Sequence, residues 1–304
     1  MEATLEAIPN VSAARDQDAV RAVGDALGSH ARILDVHSDI DHDRTVYTAI
    51  APADRLVRGL YSAVETAVES IDLRRHRGVH PRIGAVDVIP IVPLGDDDEN
   101  AAKATARTLA KLLASDLGMP VFFYGGLSTD GHGPAFFRRG GLDELAERLK
   151  TGDLEPDEGP AALHPTAGAV LVGVRGPLIA FNVNLAGADL GVAREIARSV
   201  RERDGGLQGI RALGLEIESA GTVQVSTNIE DWEATPPHRL LRAIEDAARR
   251  RGARVSGAEL VGLLPAGAAL AAAARPLALD ELAARQVLEL RLLEAMTERS
   301  RQAP

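Results

Sequence analysis

Residues 31–52 read ARILDVHSDIDHDRTVYTAIAP: an apolar stretch, a polar run and a second apolar stretch. The flanking segments, ARDQDAVRAVGDALGS and ADRLVRGLYSAVETAVESI, carry apolar residues at helical spacing. Two strands in direct succession between two helices constrain the fold more than any other feature. A doubly wound parallel sheet alternates strand and helix strictly, so this order excludes it.

LEAIPNVS supplies a strand before the first helix, and AVDVIPIVPL a buried strand after the second. The order is then βαββαβ, the split plan of ferredoxin-like units. A helix, NAAKATARTLAKLLASDLG, stops at Gly118 and leads into the strand PVFFYGG. A charged Gly/Pro stretch, KTGDLEPDEGPAALHPTAG, interrupts the pattern. AVLVGVRGPLIAFNVNL then reads as a strand, a turn at Arg175-Gly176-Pro177 and a second strand. A helix (GVAREIARSVRER), a hairpin turning near Gly221, a helix with proline at its start (PPHRLLRAIEDAARRRG) and a last strand (ARVSGAELV) repeat the plan. The expected fold class is α+β: two ferredoxin-like α/β-sandwich subdomains, residues 1–177 and 178–304, the second with a helical C-terminal tail. The two halves share no sequence-level repeat.

Apolar residues make up 45% of the chain but aromatics only 3%, so Ala, Val, Leu and Ile must fill the cores. The formal net charge of −10 argues against nucleic acid or a membrane surface as partner. It leaves room for a local basic pocket that takes a small anion. With no cysteine, disulfides, thiolate nucleophiles and Cys-type zinc sites are excluded. The N-terminal stretch MEATLEAIPNVSAARDQ lacks the basic start and apolar run of a secretory signal. The apolar tract near residue 270 is broken by Arg275-Pro276 and does not read as a membrane span. A cytoplasmic location is expected.

Three stretches carry residues suited to chemistry. In HRGVHPRIGAVDVIPIVP, His76 and His80 stand at i, i+4, a spacing that chelates zinc on a helix. Gly78 lies between them and Pro81 follows, which forces His80 out of the helical region. His80 then sits on a turn entering a strand, either as a histidine satisfied within a polar loop or as a general acid/base titrating near neutrality. Arg74, Arg75, Arg77 and Arg82 around it form either a solvated basic patch or an anion site. In DVHSDIDHDRTVY, Asp39, Asp41, His42 and Asp43 crowd one loop. The spacing of an EF-hand is missing, and a substrate-facing acidic loop that tunes a histidine fits better than a metal site. Asn182, Asn184, Gln224 and Asn228 sit in or beside apolar strands. They either satisfy backbone groups or read the edge of a heterocycle by donor–acceptor pairs. The glycine tracts match neither GxGxxG nor a P-loop.

Six runs in order along nearly the whole chain resemble the formiminotransferase family, the glutamate formimidoyltransferases that also form the N-terminal part of formiminotransferase-cyclodeaminase. They are HRGVHPRIGAVDVIPIVP, SDIDHDRTVYT, PDEGP with HPTAGAVLVGVRGPLIAFNVNL, GGLQGIRALGLEIESAGTVQVSTNIEDWEATPPH, SGAELVGLLP and QVLELRLL. The resemblance implies transfer of a formimino group from N-formimino-L-glutamate to the co-substrate tetrahydrofolate, in histidine degradation. It implies a folate tunnel between the subdomains, a homodimer and no metal. It assigns catalysis to His80, with Arg82 and Gly84 shaping the site and Asp39 as the histidine's partner. It places His164, Thr166 and Gly168 in a folate-contacting segment, and Asn182 and Asn184 among the binding residues. Two departures stand out: PNVSAARD lacks the family's Glu-Gly pair, and Asp43 replaces its Asn. They keep open a formyltransferase using formylglutamate, and a non-catalytic folate-binding protein. No cyclodeaminase part is expected.

Overall fold

The segment 31–52 folds as the sequence suggests. In the computed structural model, β3 (Arg32–Asp39) and β4 (Arg44–Pro52) form an antiparallel hairpin joined through Ile40–Asp43, with Asp39 opposite Arg44. The structure describes residues 3–76, 78, 81–95, 97–217, 221–274, 276, 279, 282–291 and 293. The chain divides into two compact units, Met1–Gly176 and Pro177–Pro304.

The first unit opens with β1 (Thr4–Ala7), β2 (Asn10–Val11) and α1 (Gln17–Gly28). After the hairpin come α2 (Ala53–Ser70), β5 (Val86–Pro93), α3 (Glu99–Leu117) and β6 (Val121–Gly125). The unit closes with α4 (Pro134–Arg138), α5 (Gly141–Thr151) and β7 (Val170–Val174). The strands form one sheet in the order β1-β4-β2-β5-β7-β6, with β3 on the outer side of β4. β1 and β2 both lie between β4 and β5, so together they act as one interrupted central strand.

Local chemistry sets the helix ends. The Asp16 carboxylate accepts hydrogen bonds from the Asp18 and Ala19 N–H groups and starts α1. Gly118, left-handed at φ 63°, ends α3. The apolar stripes of α1, α2 and α3 (Val23 and Leu27, Leu56 and Leu60, Leu109 and Leu113) cover one face of the sheet. On the other face, Phe137, Leu145 and Leu149 of α4 and α5 pack on Phe122, Tyr124 and Leu171. That second layer covers only the β5–β7–β6 side.

The second unit consists of β8 (Ile179–Ala186), α6 (Leu190–Val200), β9 (Ile210–Ile217), β10 (Thr222–Ile229), α7 (Pro237–Arg249), β11 (Arg254–Val261) and α8 (Ala266–Ala274). Its four strands are antiparallel in the order β11-β8-β10-β9. Val183, Leu185, Val223 and Val225 pack with Ile196 and Val200 of α6 and Leu240 and Ile244 of α7. α6 lies so close to β9 that a side chain at Gly214 would strike the backbone of Ala193 and Arg194.

The α+β class and the two-sheet division match the sequence reading. Helices α4 and α5 were not anticipated. β7 and β8 fall on either side of the expected 177/178 boundary: β7 joins the first sheet in parallel with β5 and β6, while β8 belongs to the second. Of the expected helical tail, a 3-10 turn at Ala284–Gln286 and helical backbone at residues 288–291 and 293 are seen, and the rest of the segment lies outside the described residues.

Candidate active site

Several of the polar residues singled out in the first half lie together around the β3–β4 turn. The β3–β4 turn comes first. The His42 backbone N–H donates to Asp39 Oδ1 at 2.9 Å, and its ring Nδ1 lies 2.6 Å from Asp39 Oδ2. Burial pushes the Asp39 carboxyl upward, but the hydrogen bonds and charge of His42 outweigh it and hold the group down at about 2. Asp39 is thus an ionised carboxylate seated on a buried imidazole. The expected histidine partner was His80, which lies outside the described residues; the partner seen is His42.

Asp43 has the left-handed φ of 44°, a conformation uncommon for a residue with a side chain. Its Oδ1 accepts from the Ala14 and Arg15 N–H groups at 2.9 and 3.0 Å. Its Oδ2 lies 3.3 Å from His76 Nε2, which also reaches the Asp43 carbonyl at 2.9 Å. The two departures from the family pattern therefore touch: the backbone of the altered SAAR segment holds the carboxylate of the altered Asp43. A negative charge here is paired rather than bare.

His76 and Arg82 meet this turn from the segment that follows α2. The Arg82 guanidinium meets the His76 ring, and its Nη2 donates to the His42 carbonyl at 3.4 Å. Burial is the main force depressing the His76 pKa; the Asp43 carbonyl opposes it and the Arg82 charge adds to it. Gly84 faces Gly168 in an antiparallel bridge. A side chain on Gly84 would collide with the Ala169 and Val86 carbonyls, and one on Gly168, at φ 71°, with the Ile83 carbonyl. These two glycines let two backbones meet. In the same turn, His164 Nδ1 accepts from the Ala167 N–H at 3.0 Å and lies 3.4 Å from Thr166 Oγ1. The Thr166 carbonyl receives the Leu73 N–H at 2.9 Å, which ties the turn to the residues just before His76. Asp39, Arg82, Gly84, His164, Thr166 and Gly168 therefore share one region. Asn182 and Asn184 lie on β8 in the second unit.

Three residues of this region were not anticipated. Asp87 is buried; its Oδ1 accepts from the Ile83 N–H at 2.7 Å, and its Oδ2 pairs with Arg138 of α4. Arg44, first residue of β4, has its pKa lowered to about 10, chiefly by burial, then by the Arg138 charge, against the pull of Asp87 and Asp39. Arg44, Arg82 and Arg138 lie close enough to feel one another's charge, with Asp39 and Asp87 between them. A charged residue inside the apolar run AVDVIPIVP was the available signal for Asp87. Arg138 stands 51 positions from its partner, so no local pattern announces it. Asp39, Asp43 and Asp87 offset the three guanidiniums. Among the described residues, no group of three or more His, Cys, Asp or Glu side chains could hold a metal ion.

Comparison with known proteins places this geometry. The family pattern described as "Formiminotransferase domain, N-terminal subdomain" matches residues 4–175, and "Formiminotransferase domain" matches residues 180–286. The chain belongs to the formiminotransferase family. It is 35% identical to a glutamate formimidoyltransferase of Streptococcus pyogenes over 96% of this chain and 100% of the relative. It is 34% identical to the glutamate formimidoyltransferase of Thermoplasma acidophilum, again over 96% of this chain and 98% of the relative. The formimidoyltransferase-cyclodeaminase of Rattus norvegicus is 35% identical over 90% of this chain and 52% of its own length. Both halves of the formiminotransferase pattern are thus present in one chain. Among the described residues, no helix is long and apolar enough to cross a membrane.

Proposed function

We propose that this protein transfers the formimino group of N-formimino-L-glutamate to tetrahydrofolate, giving 5-formiminotetrahydrofolate and glutamate, as a step of histidine degradation. The observation that carries this reading is the match to glutamate formimidoyltransferases over 96% of the chain and their full or nearly full length. The ferredoxin-like character of each unit, the folate tunnel and a homodimer belong to the same proposal. The βαββαβ order and the strand order β11-β8-β10-β9 support the first of these for the second unit.

The chemistry asks little of the protein beyond positioning and proton transfer. The folate amine attacks the amidine carbon and forms a tetrahedral intermediate. The C–N bond to glutamate then breaks, and glutamate leaves as an amine. His80 takes the proton from the attacking nitrogen and returns one to the leaving nitrogen. Arg82, two residues on, holds a donor carboxylate. Asp39 acts through His42 to fix the β3–β4 turn beside the site. Gly84 and Gly168 set the backbone frame, and His164 and Thr166 border the folate.

The test is a transfer assay with formiminoglutamate and formylglutamate run side by side on wild type and His80→Ala. Turnover of formiminoglutamate that falls at least a hundredfold in the variant is expected. Turnover of formylglutamate alone assigns a formyltransferase instead. Folate binding without turnover of either donor leaves a binding protein.

A further inference from the structure

Asp87 is a buried charge to which the transfer chemistry gives no part. It is 2% exposed, so it does not reach a bound substrate and acts only through its neighbours. A carboxylate is taken out of water only where hydrogen bonds and an opposite charge replace the lost hydration. Asp87 has both. Its Oδ1 accepts from the Ile83 N–H at 2.7 Å, and its Oδ2 pairs with the Arg138 guanidinium.

The Ile83 bond stands where the support of the backbone changes. From the Ile83 carbonyl onward, the approach to β5 is held by other main-chain segments and by Ser12. Ile83 O accepts from Ala169 N at 2.8 Å, and Ala85 N donates to Ala167 O at 2.9 Å. The Gly84 and Ala85 carbonyls accept from Ser12 Oγ and Ser12 N, each at 2.7 Å. The Ile83 N–H, just before this stretch, is held by a side chain four residues ahead. That side chain is anchored in turn on α4, a helix of five residues. Phe137 of α4 is buried, with its ring centroid 5.0 Å from that of Phe122. Arg148 of α5 donates to the Phe136 carbonyl at 3.1 Å and stands 4.4 Å from the centre of the Phe136 ring. Arg138 therefore springs from a backbone fixed on two sides and meets Asp87 from a set origin.

We propose that Asp87 is a positioning residue for the transfer: through Ile83 and Arg138 it fixes residues 81–84, and with them the His80 that precedes them in the chain, against α4. The inference rests on the transfer reading above. Oδ1 does the positioning. Arg138 is the counter-charge that permits a carboxylate at this buried place. Replacing a buried ion pair as a whole is tolerated far better than removing one partner. Misplacing a catalytic group by about 1 Å costs roughly a hundredfold in rate. Substitution can therefore separate the acceptor from the charge.

The experiment measures kcat, donor KM and melting temperature for the full chain. The donor is whichever of formiminoglutamate and formylglutamate wild type turns over, with tetrahydrofolate as acceptor. Three variants are compared below their melting transitions: Asp87→Asn, Asp87→Asn with Arg138→Met, and Asp87→Ala with Arg138→Met. The Asn pair keeps an acceptor for the Ile83 N–H and leaves no buried charge unpaired; the Ala pair removes the acceptor as well. Asp87→Asn alone should lower kcat about tenfold, because Arg138 is left without its counter-charge. The Asn pair should recover to within about threefold of wild type, and the Ala pair should stay about a hundredfold down, with donor KM nearly unchanged in all three. A merely structural residue would lower the melting temperature and leave kcat of the folded protein unchanged. Equal kcat in the two pairs would overturn the role of Oδ1. So would failure of the Asn pair to recover, or a donor KM that rises in it, since Arg138 would then be a binding group. If the Ala pair does not fold, recovery of the Asn pair decides alone. Wild-type turnover that none of the substitutions lowers would overturn this role and leave the transfer reading standing. Wild type inactive with both donors would overturn the transfer reading and this role with it.

Discussion

Asp43 shows how one residue carries geometry and charge together. Its left-handed backbone suits Asn and Asp better than most side chains, and its Oδ1 satisfies two N–H groups. Asp43→Asn keeps that oxygen and the tolerance for positive φ. It should change stability by less than about 1 kcal/mol in a urea titration. Asp43→Ala loses the acceptor and adds backbone strain, and should cost about 3 kcal/mol. Its neighbour His76 gives a pH dependence. Arg15, Arg82 and Asp43 face the ring, and burial is the largest influence on it. A pKa below 6.5 in the folded state means that the unfolded chain binds the proton first as pH falls. The stability held by neutral His76 is therefore complete above about pH 6.5 and is lost on acidification from there. Asp39 adds a second loss in the same direction, between 3.8 and about 2. Urea midpoints at pH 7.5 and 5.5 should fall for wild type and fall less for His76→Gln. Equal falls would remove His76 as the source. Such pairings were only half visible in the sequence. The loop SDIDHD announced an acidic turn, but which carboxylate meets which histidine depends on φ angles and on backbone from residues 14 and 15.

At the scale of elements, the glycine pair deserves the sharper test. Gly84 and Gly168 hold the start of β5 against the turn before β7, through Ala85 N to Ala167 O at 2.9 Å and Ala169 N to Ile83 O at 2.8 Å. Gly84→Ala pushes a methyl into two carbonyls that cannot move independently, and should cost roughly 3 kcal/mol or more. Thermal unfolding checks it; a melting temperature within a degree of wild type would show that the bridge relaxes freely. The family resemblance gave Gly84 a part in shaping the site and put Gly168 in a folate-contacting segment. The structure gives them a backbone reason, which is compatible with a binding role for their neighbours. Elements with strong periodicity, such as α1, α2 and α3, were legible because their apolar stripes meet the sheet. α4 and α5 were not. α4 is one turn starting at a proline, and α5 begins in a Gly-Gly pair that reads as loop. Arg138 rides on α4, so the partner of Asp87 was hidden with its helix.

For the whole molecule, the informative fact is which strands pair. Every strand of the second sheet pairs within Pro177–Pro304, and its core draws on residues 179–268 alone. The sequence revealed this division because the same βαββαβ order occurs twice. It also put β7 and β8 on opposite sides of the 177/178 boundary, but it could not reveal that β7 pairs in parallel with β5 and β6, which leaves no local mark. If the sheet is self-sufficient, the fragment 177–304 should fold without the rest of the chain; its size is within the usual range for a domain. Far-UV circular dichroism should show mixed helix and strand, and urea should unfold it in a single sigmoidal transition. A broad, gradual loss of signal would mean that the second core needs the first unit to close it, and that the two sheets form one folding unit despite their separate strand pairing.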